Sequence, residues 1–431
     1  MTAAPPSLRG ADFCDIAVIG AGAAGLMAGI HAARALGDSG TVVGLDGARR
    51  IGAKILVAGG GRCNVTHHEV RPEDYAGSSR NAIRKVLGRL SVERTIAFFA
   101  ELGVELKREE TGKLFPVTNK AATVLTSLLD AWRDAGADLR FPRRVESIEV
   151  VEDGFHVQGV ETDLLARRLI LATGGRALPK SGSDGAGYDF VRRLGHTITP
   201  SIHPALVPLV LPEDDPIRGV SGIATPARLT IRDGRGKAII SYEAPILCTH
   251  FGISGPVVLD ASRHLLAAHR AGDHEAHALL DWLPEEDRNE FESGMLAAPG
   301  GLTIAALLRG RLPERLVATI ALVAKVETRD RVRGLSKESR RRFVEALFEH
   351  RLTVIGDRGY TFAEATAGGV PLSEVRLDSM ESRIVPGLHL AGEILDVDGR
   401  VGGFNFQWAW ASGYVAGGSA ARFISEAPVA T

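Results

Sequence analysis

The residues able to do chemistry gather in two glycine-rich stretches separated by most of the chain. In the first, Asp15-Ile16-Ala17-Val18-Ile19 is an apolar strand that runs into Gly20-Ala21-Gly22-Ala23-Ala24-Gly25 and then a helix-like run, Leu26 to Leu36. Gly20 permits a tight turn, Gly22 lets backbone approach a pyrophosphate, and Gly25 allows close helix packing, with Ala23 and Ala24 in the opening helical turn. A diphosphate then meets a helix N-terminus, where unpaired N–H groups and the helix dipole favour negative charge. The second stretch runs from Gly387 through Gly392-Glu393 to Gly402-Gly403-Phe404-Asn405 and reads as strand, polar turn and helix start. A nicotinamide coenzyme needs no such partner. A flavin does, because its ribityl chain and ring extend past the pyrophosphate, and a second helix N-terminus favours charge developing on the reduced ring.

Other residues fall into place around these two stretches. Thr41-Val42-Val43-Gly44-Leu45-Asp46 puts a carboxylate at the end of the next strand, where it accepts from ribose hydroxyls and repels a 2′-phosphate. The strand ending in Leu171-Ala172-Thr173-Gly174-Gly175 brings backbone close to the cofactor, and Val145, which opens another strand of the same domain, is a further cofactor-binding candidate. Lys54, Gly61, Arg62 and Asn64 lie in a glycine-rich loop, Ile51 to Thr66, that can wrap the ligand. Glu393 is placed to accept from a ribityl hydroxyl. Cys63 has no resolving cysteine nearby and reads as a small packed residue. His203 and His250 are the proton-transfer candidates, since an imidazole donates and accepts near neutral pH. Gln407 and Trp408 read as positioning and packing groups.

The elements that must hold these residues alternate between strand and helix up to about residue 195. Helical patterns cover Val92 to Leu102 and Lys120 to Ala135, with Ser91 and Thr118-Asn119 as N-caps. Strand patterns cover Val145 to Val151, Gly154 to Val160 and Arg168 to Ala172. The expected organisation is a cofactor domain over 1–195 and 377–431, a β-rich insertion over 196–260 and 351–376, and a helical insertion over 261–350. Helices are expected at Thr303 to Leu308, Arg315 to Lys325 and Lys337 to His350. Gly182-Ser183-Asp184-Gly185-Ala186-Gly187 imitates a second fingerprint but does not follow a strand into a helix in register. An NAD(P)H reductant is therefore expected to dock transiently on the flavin.

Composition narrows the class. A chain of 431 residues with a formal net charge of −1 carries no global basic field, so no nucleic-acid partner is expected. The cysteines, Cys14, Cys63 and Cys248, lie far apart with no metal spacing, which fits a reducing compartment and offers no metal site. Phe13 to Ala33 is apolar, but the fingerprint at its middle makes it strand plus helix; no membrane span and a cytoplasmic location are expected.

Four further motifs carry a resemblance: Gly61-Arg62-Cys63-Asn64-Val65-Thr66, His203-Pro204-Ala205-Leu206-Val207-Pro208-Leu209, Thr249-His250-Phe251-Gly252-Ile253-Ser254-Gly255-Pro256, and Ala391-Gly392-Glu393 through Gly399. With these the chain resembles, from residue 13 to about 420, the bacterial BaiN-like or YhiN-like NAD(P)/FAD-dependent oxidoreductases. The resemblance implies an α/β fold: a single-dinucleotide Rossmann-like FAD domain split by a β-barrel-like insertion that is itself interrupted by a helical domain. It also implies noncovalent FAD and a small-molecule substrate. Family members are similar to enzymes proposed to reduce conjugated enones of bile-acid intermediates, and one relative looks like an amine oxidase. The chain departs from the family pattern at Asp46, where Glu is more usual, and at Thr66-His67-His68, where Thr-Asn is more usual.

Three functions stay open on the sequence. The first is hydride transfer from NAD(P)H through flavin N5 to an enone-like substrate. The second is amine oxidation using O₂. The third is a flavin-containing or RNA-associated binding protein. Oligomeric state is left open.

Overall fold

A parallel sheet of apolar strands needs both faces covered, and this chain provides that cover from two distant segments. The computed structural model describes residues 11–426. They divide into two compact units, residues 11–202 with 365–426, and residues 203–364.

In the first unit, β1 (Asp12–Ile19), β2 (Val42–Leu45), β3 (Asp138–Arg140), β4 (Thr162–Leu171) and β5 (Leu388–Leu390) stand in the spatial order β3-β2-β1-β4-β5. All four pairings are parallel. The front half of β4 also pairs antiparallel with the strand Gly154–Gly159, which in turn pairs antiparallel with Val145–Val151. Three helices cover the sheet: α1 (Ala23–Leu36), α2 (Ala121–Asp134) and α3 (Phe404–Glu426). Small residues set how closely they approach. A Cβ on Gly29 of α1 would lie 1.8 Å from the Trp132 ring, and one on Gly44 of β2 would lie 2.7 Å from it. Cβ atoms on Gly413 and Gly417 of α3 would lie 2.4 and 2.0 Å from the backbone oxygens of Ala24 and Ala28. Helix α1 is thus buried on nearly every side.

The second unit is built on an antiparallel sheet whose strands run in the order His350–Leu352, His277–Asp281, Ala224–Arg232, Ala238–Thr249, Gly252–Ser254, Leu209–Val210, Gly356–Asp357. Alternate residues of Ala224–Arg232 are buried, the signature of a sheet with one covered face. Helices Pro256–Arg270, Arg288–Ala297, Glu314–Ala324 and Lys337–Phe348 complete a core separate from that of the first unit.

Several local expectations change. Ile51 to Thr66 is not all loop: Ala53–Gly61 is helical until Ala58, Gly59 and Gly60 leave helical geometry. Ser91 caps its helix through Arg94 N–H, but the cap of α2 is Lys120, and Thr118 only accepts from Lys120 N–H at 3.4 Å. The stretch read as helical over 261–350 contains the strand His277–Asp281, where alternate burial of Ala278 and Leu280 outweighs the helical propensity of Ala and Leu. No described helix is long and apolar enough to cross a membrane, and no described group of His, Cys, Asp and Glu could hold a metal ion.

Candidate cofactor site

At the carboxyl end of β1 the chain turns through Gly20, whose φ is +97°. A Cβ there would lie 2.5 Å from Ala172 O, and one on Gly25 would lie 1.8 Å from Gly20 O, so both glycines are required by the protein's own packing. Gly22 is different. Its backbone (φ −78°, ψ −166°) suits any residue, and no atom beyond its own chain neighbours lies within 4 Å of where its Cβ would be. An open face at the start of α1 is the space a diphosphate needs.

Asp46 closes one end of this turn. Its Oδ2 accepts from Ala21 N–H at 2.7 Å and its Oδ1 from Ala48 N–H at 2.8 Å, leaving a lone pair on each oxygen. Its own carbonyl accepts from Arg143 N–H at 2.7 Å, which brings the segment leading to buried Val145 alongside.

The other end is formed where β4 stops. Gly174 (φ +76°) packs against Ser183, and Gly175 packs against Thr366 and Glu393. Glu393 accepts from Thr366 N–H at 2.8 Å and from Lys54 Nζ at 2.5 Å, pairing two residues 339 apart in sequence. Both side chains of that ion pair are mostly buried. Thr173 Oγ1, Ser183 Oγ and Asn64 Oδ1 are buried without a hydrogen-bond partner. Buried polar atoms are normally paired, which makes these three exceptions. Sequence reasoning set Ser183 aside with the imitation fingerprint and missed Thr366. The signal available was that glycine-rich stretch, which packs onto the Thr173-Gly174-Gly175 turn: a Cβ on Gly187 would lie 1.9 Å from Thr173 Oγ1.

Gly392 (φ +78°) joins the two glycine stretches, since its Cβ would lie 2.7 Å from Ala24 Cβ. Its N–H donates to Ser412 Oγ at 2.9 Å and its carbonyl accepts from Trp408 Nε1 at 3.1 Å. Gly402 and Gly403 have φ of +134° and +93°, and Gly403 lies against the Thr66 backbone. Thr66 Oγ1 donates to Gln407 Oε1, and Trp410 Nε1 donates to Val65 O. These bonds tie the Gly61 to Thr66 segment to α3. Phe404 stacks on His67 at 4.9 Å, and Asn405 makes two bonds to Gly399, locking the start of α3.

Other candidates have partners of their own or lie in the second unit. Gly61 is exposed, and Arg62 pairs with Glu109 at 2.6 Å while its guanidinium lies 4.0 Å over the Phe115 ring. His203 and His250 belong to the second unit; His203 is buried and His250 is exposed, edge-on to Phe251. The thiol of Cys63 is buried, and burial pushes it up to about 12, which leaves it protonated and inert.

A parallel sheet with a glycine turn feeding α1 defines a Rossmann-type dinucleotide-binding protein. The HI0933-like protein Rossmann domain matches residues 14–419, and the chain belongs to that family. It is 35% identical over 411 residues to the 3-dehydro-bile acid delta(4,6)-reductase of Clostridium scindens, covering 94% of this chain and 99% of that one. It is 32% identical over 412 residues to the ribosomal RNA dihydrouridine synthase of Haemophilus influenzae, covering 94% and 98%. In fold it resembles a variant of the E. coli quinol fumarate reductase subunit FrdA, with a TM-score of 0.52 at 16% identity over 97% of this chain and 72% of that one. The protein is a FAD-dependent oxidoreductase.

Proposed function

We propose that the protein reduces a carbon–carbon double bond conjugated to a carbonyl, with noncovalent FAD as the resident cofactor and NAD(P)H as a transient reductant. The observation that carries the cofactor part is the cradle: an open backbone at Gly22, unpartnered Thr173 and Ser183, and the Lys54–Glu393 pair. When bound, FAD supplies two-electron chemistry, taking a hydride equivalent from one partner and passing it to an electron-poor carbon of another. The start of α1 at Gly22, Ala23 and Ala24 would hold the pyrophosphate, and Asp46 the adenosine ribose through its remaining lone pairs. Glu393, with Lys54, Thr173 and the Gly174-Gly175 backbone, would orient the ribityl chain. The start of α3 at Gly402, Gly403 and Phe404 would set the local field beyond it. A conjugate reduction also needs a proton at the carbon next to the carbonyl, and His203 and His250 are the candidates to deliver it.

The names of the two relatives support the choice of reaction. One reduces a 3-dehydro bile acid and the other forms dihydrouridine. The double bond saturated in dihydrouridine is conjugated to a uracil carbonyl, so an enone-like acceptor is common to both. The test is anaerobic: the purified yellow protein is titrated with NADH and NADPH, then mixed with cyclohexenone. Bleaching of the flavin followed by its return with the enone is expected. A flavin bleached by amines but not by NAD(P)H, with peroxide released in air, would replace this reading with amine oxidation.

One observation favours an RNA substrate as a second reading. Arg80, Arg84, Lys85 and Arg89 are exposed on and after the helix Arg80–Leu87, with no carboxylate partner among the described residues. Salt-sensitive retention of ribosomal RNA by the native protein, lost when these four are changed to Gln, would support it.

A further inference from the structure

In the second unit an arginine is held in place and left without a counter-charge. Arg358 Cζ lies 4.3 Å over the Phe251 ring and 4.1 Å over the Phe362 ring. Its guanidinium has no carboxylate within ion-pair distance among the described residues. The adjacent carboxylate, Asp357, accepts from Gly359 N–H at 2.6 Å. Three chain segments fix this arrangement: Arg358 N–H donates to Pro208 O, Leu211 N–H to Phe251 O, and Phe362 N–H to Gly359 O. A second arginine, in the segment Pro216–Val220, bonds to the residue that precedes Phe251. Arg218 donates to His250 O at 2.8 Å and Leu211 O at 3.3 Å, both neutral acceptors.

A guanidinium is a planar fork of five donors. Aromatic rings engage its π-face and set its orientation, while its in-plane N–H groups stay available. Those donors match the two oxygens of a carboxylate or phosphate. The surroundings are apolar as well as cationic: Phe362 is 50% exposed and Ile355, on the same segment, is 62% exposed. Exposed apolar side chains around an uncompensated arginine suit a ligand with an apolar body and an anionic end.

We infer that Arg358, clamped by Phe251 and Phe362, is the recognition site for an apolar oxyanion. This recognition does not depend on the conjugate-reduction reading above. Arg358 holds its ligand by the charged end.

The experiment measures binding to the FAD-loaded protein by calorimetry, using octanoate, octyl phosphate and uncharged methyl octanoate. The anions should bind at least about tenfold tighter than the ester, as expected for hydrogen bonds to a charged group. Tighter octanoate assigns a carboxylate, and tighter octyl phosphate assigns a phosphate. Arg358→Met should abolish the preference for anions, and Arg358→Lys should restore only part of it. Phe362→Ala should weaken anions and ester alike, with FAD content as the folding control. Equal binding of octanoate, octyl phosphate and ester by the native protein, or an unchanged preference in Arg358→Met, would overturn the site. If the preference stands while no enone reoxidises the reduced flavin, the reaction reading fails and the site survives.

Discussion

Gly22 separates what the protein needs from what its ligand needs. Replacing it with Ala adds a methyl group where no atom beyond its own chain neighbours lies within 4 Å, on a backbone that any residue adopts. Apoprotein stability should barely move. Ala is a poorer N-cap than Gly, which costs up to about 1 kcal/mol, and its smaller unfolded-state entropy returns about 0.4–1 kcal/mol. FAD affinity should collapse, because the methyl group holds the pyrophosphate off the helix start. Losing one or two charge-assisted hydrogen bonds is worth about 2–4 kcal/mol, or roughly 30- to 1000-fold in Kd. Gly25→Ala is the contrast. Its Cβ would meet Gly20 O at 1.8 Å, so helix and turn must separate, and the apoprotein itself should lose about 1–3 kcal/mol or more. Urea unfolding of both apoproteins and quenching of FAD fluorescence on rebinding give the two readouts. A Gly22→Ala protein that binds FAD as tightly as the parent would refute the placement of the pyrophosphate.

Three further outcomes are expected. In a double-mutant cycle on FAD affinity, Lys54→Met and Glu393→Gln should couple by about 1 kcal/mol, because their side chains are 26% and 21% exposed and partly screened; strict additivity would show that the pair does not act as a unit. Burial holds the imidazoles of His31, His264 and His389 down at about 4, about 4 and about 3, so they stay neutral in the fold while the unfolded chain takes up protons below the ordinary value of 6.5. Their stabilisation is complete above pH 6.5 and is lost as pH falls towards 4, by about 2 kcal/mol per histidine at pH 5; urea midpoints that do not change between pH 7 and pH 5 would contradict this. Burial also raises the thiols of Cys14, Cys63 and Cys248 to about 12, 12 and 11, so iodoacetamide should label them only after unfolding, and rapid labelling of the native protein would count against the packing described.

The parts of the site legible in sequence are those whose partners lie close along the chain. Gly20, Gly22 and Gly25 sit between an apolar strand and a helix, so local pattern alone gives the turn, and Asp46 follows at the next strand end. Glu393 was legible as a candidate, but its partners were not: nothing local ties it to Lys54 or to Thr366 N–H. Arg62 has partners that the sequence does not show. Its motif points to the ligand, yet Glu109 and Phe115, brought near by the strands Leu106–Arg108 and Lys113–Pro116, give it a closer counter-charge and a ring to stack on. In the second unit the Ala- and Leu-rich composition concealed His277–Asp281, because a short strand offers too few residues for alternation to stand out. Arg358 left no signature in sequence, since its two aromatic partners are separated from each other by most of that unit.

The packing of α1 against α3 also has a consequence for how the protein is made. Helix α1 carries the fingerprint and leaves the ribosome early, but its contacts through Ala24 and Ala28 are with Gly413 and Gly417. Strand β5, which completes the parallel order, likewise arrives only after the whole second unit has been synthesised. A nascent chain that ends before residue 387 therefore exposes the apolar face of α1 and has no second glycine stretch with which to enclose a cofactor. Assembly of the first unit is a late event, and ribosome-bound chains should begin to retain FAD only when α3 has emerged from the exit tunnel.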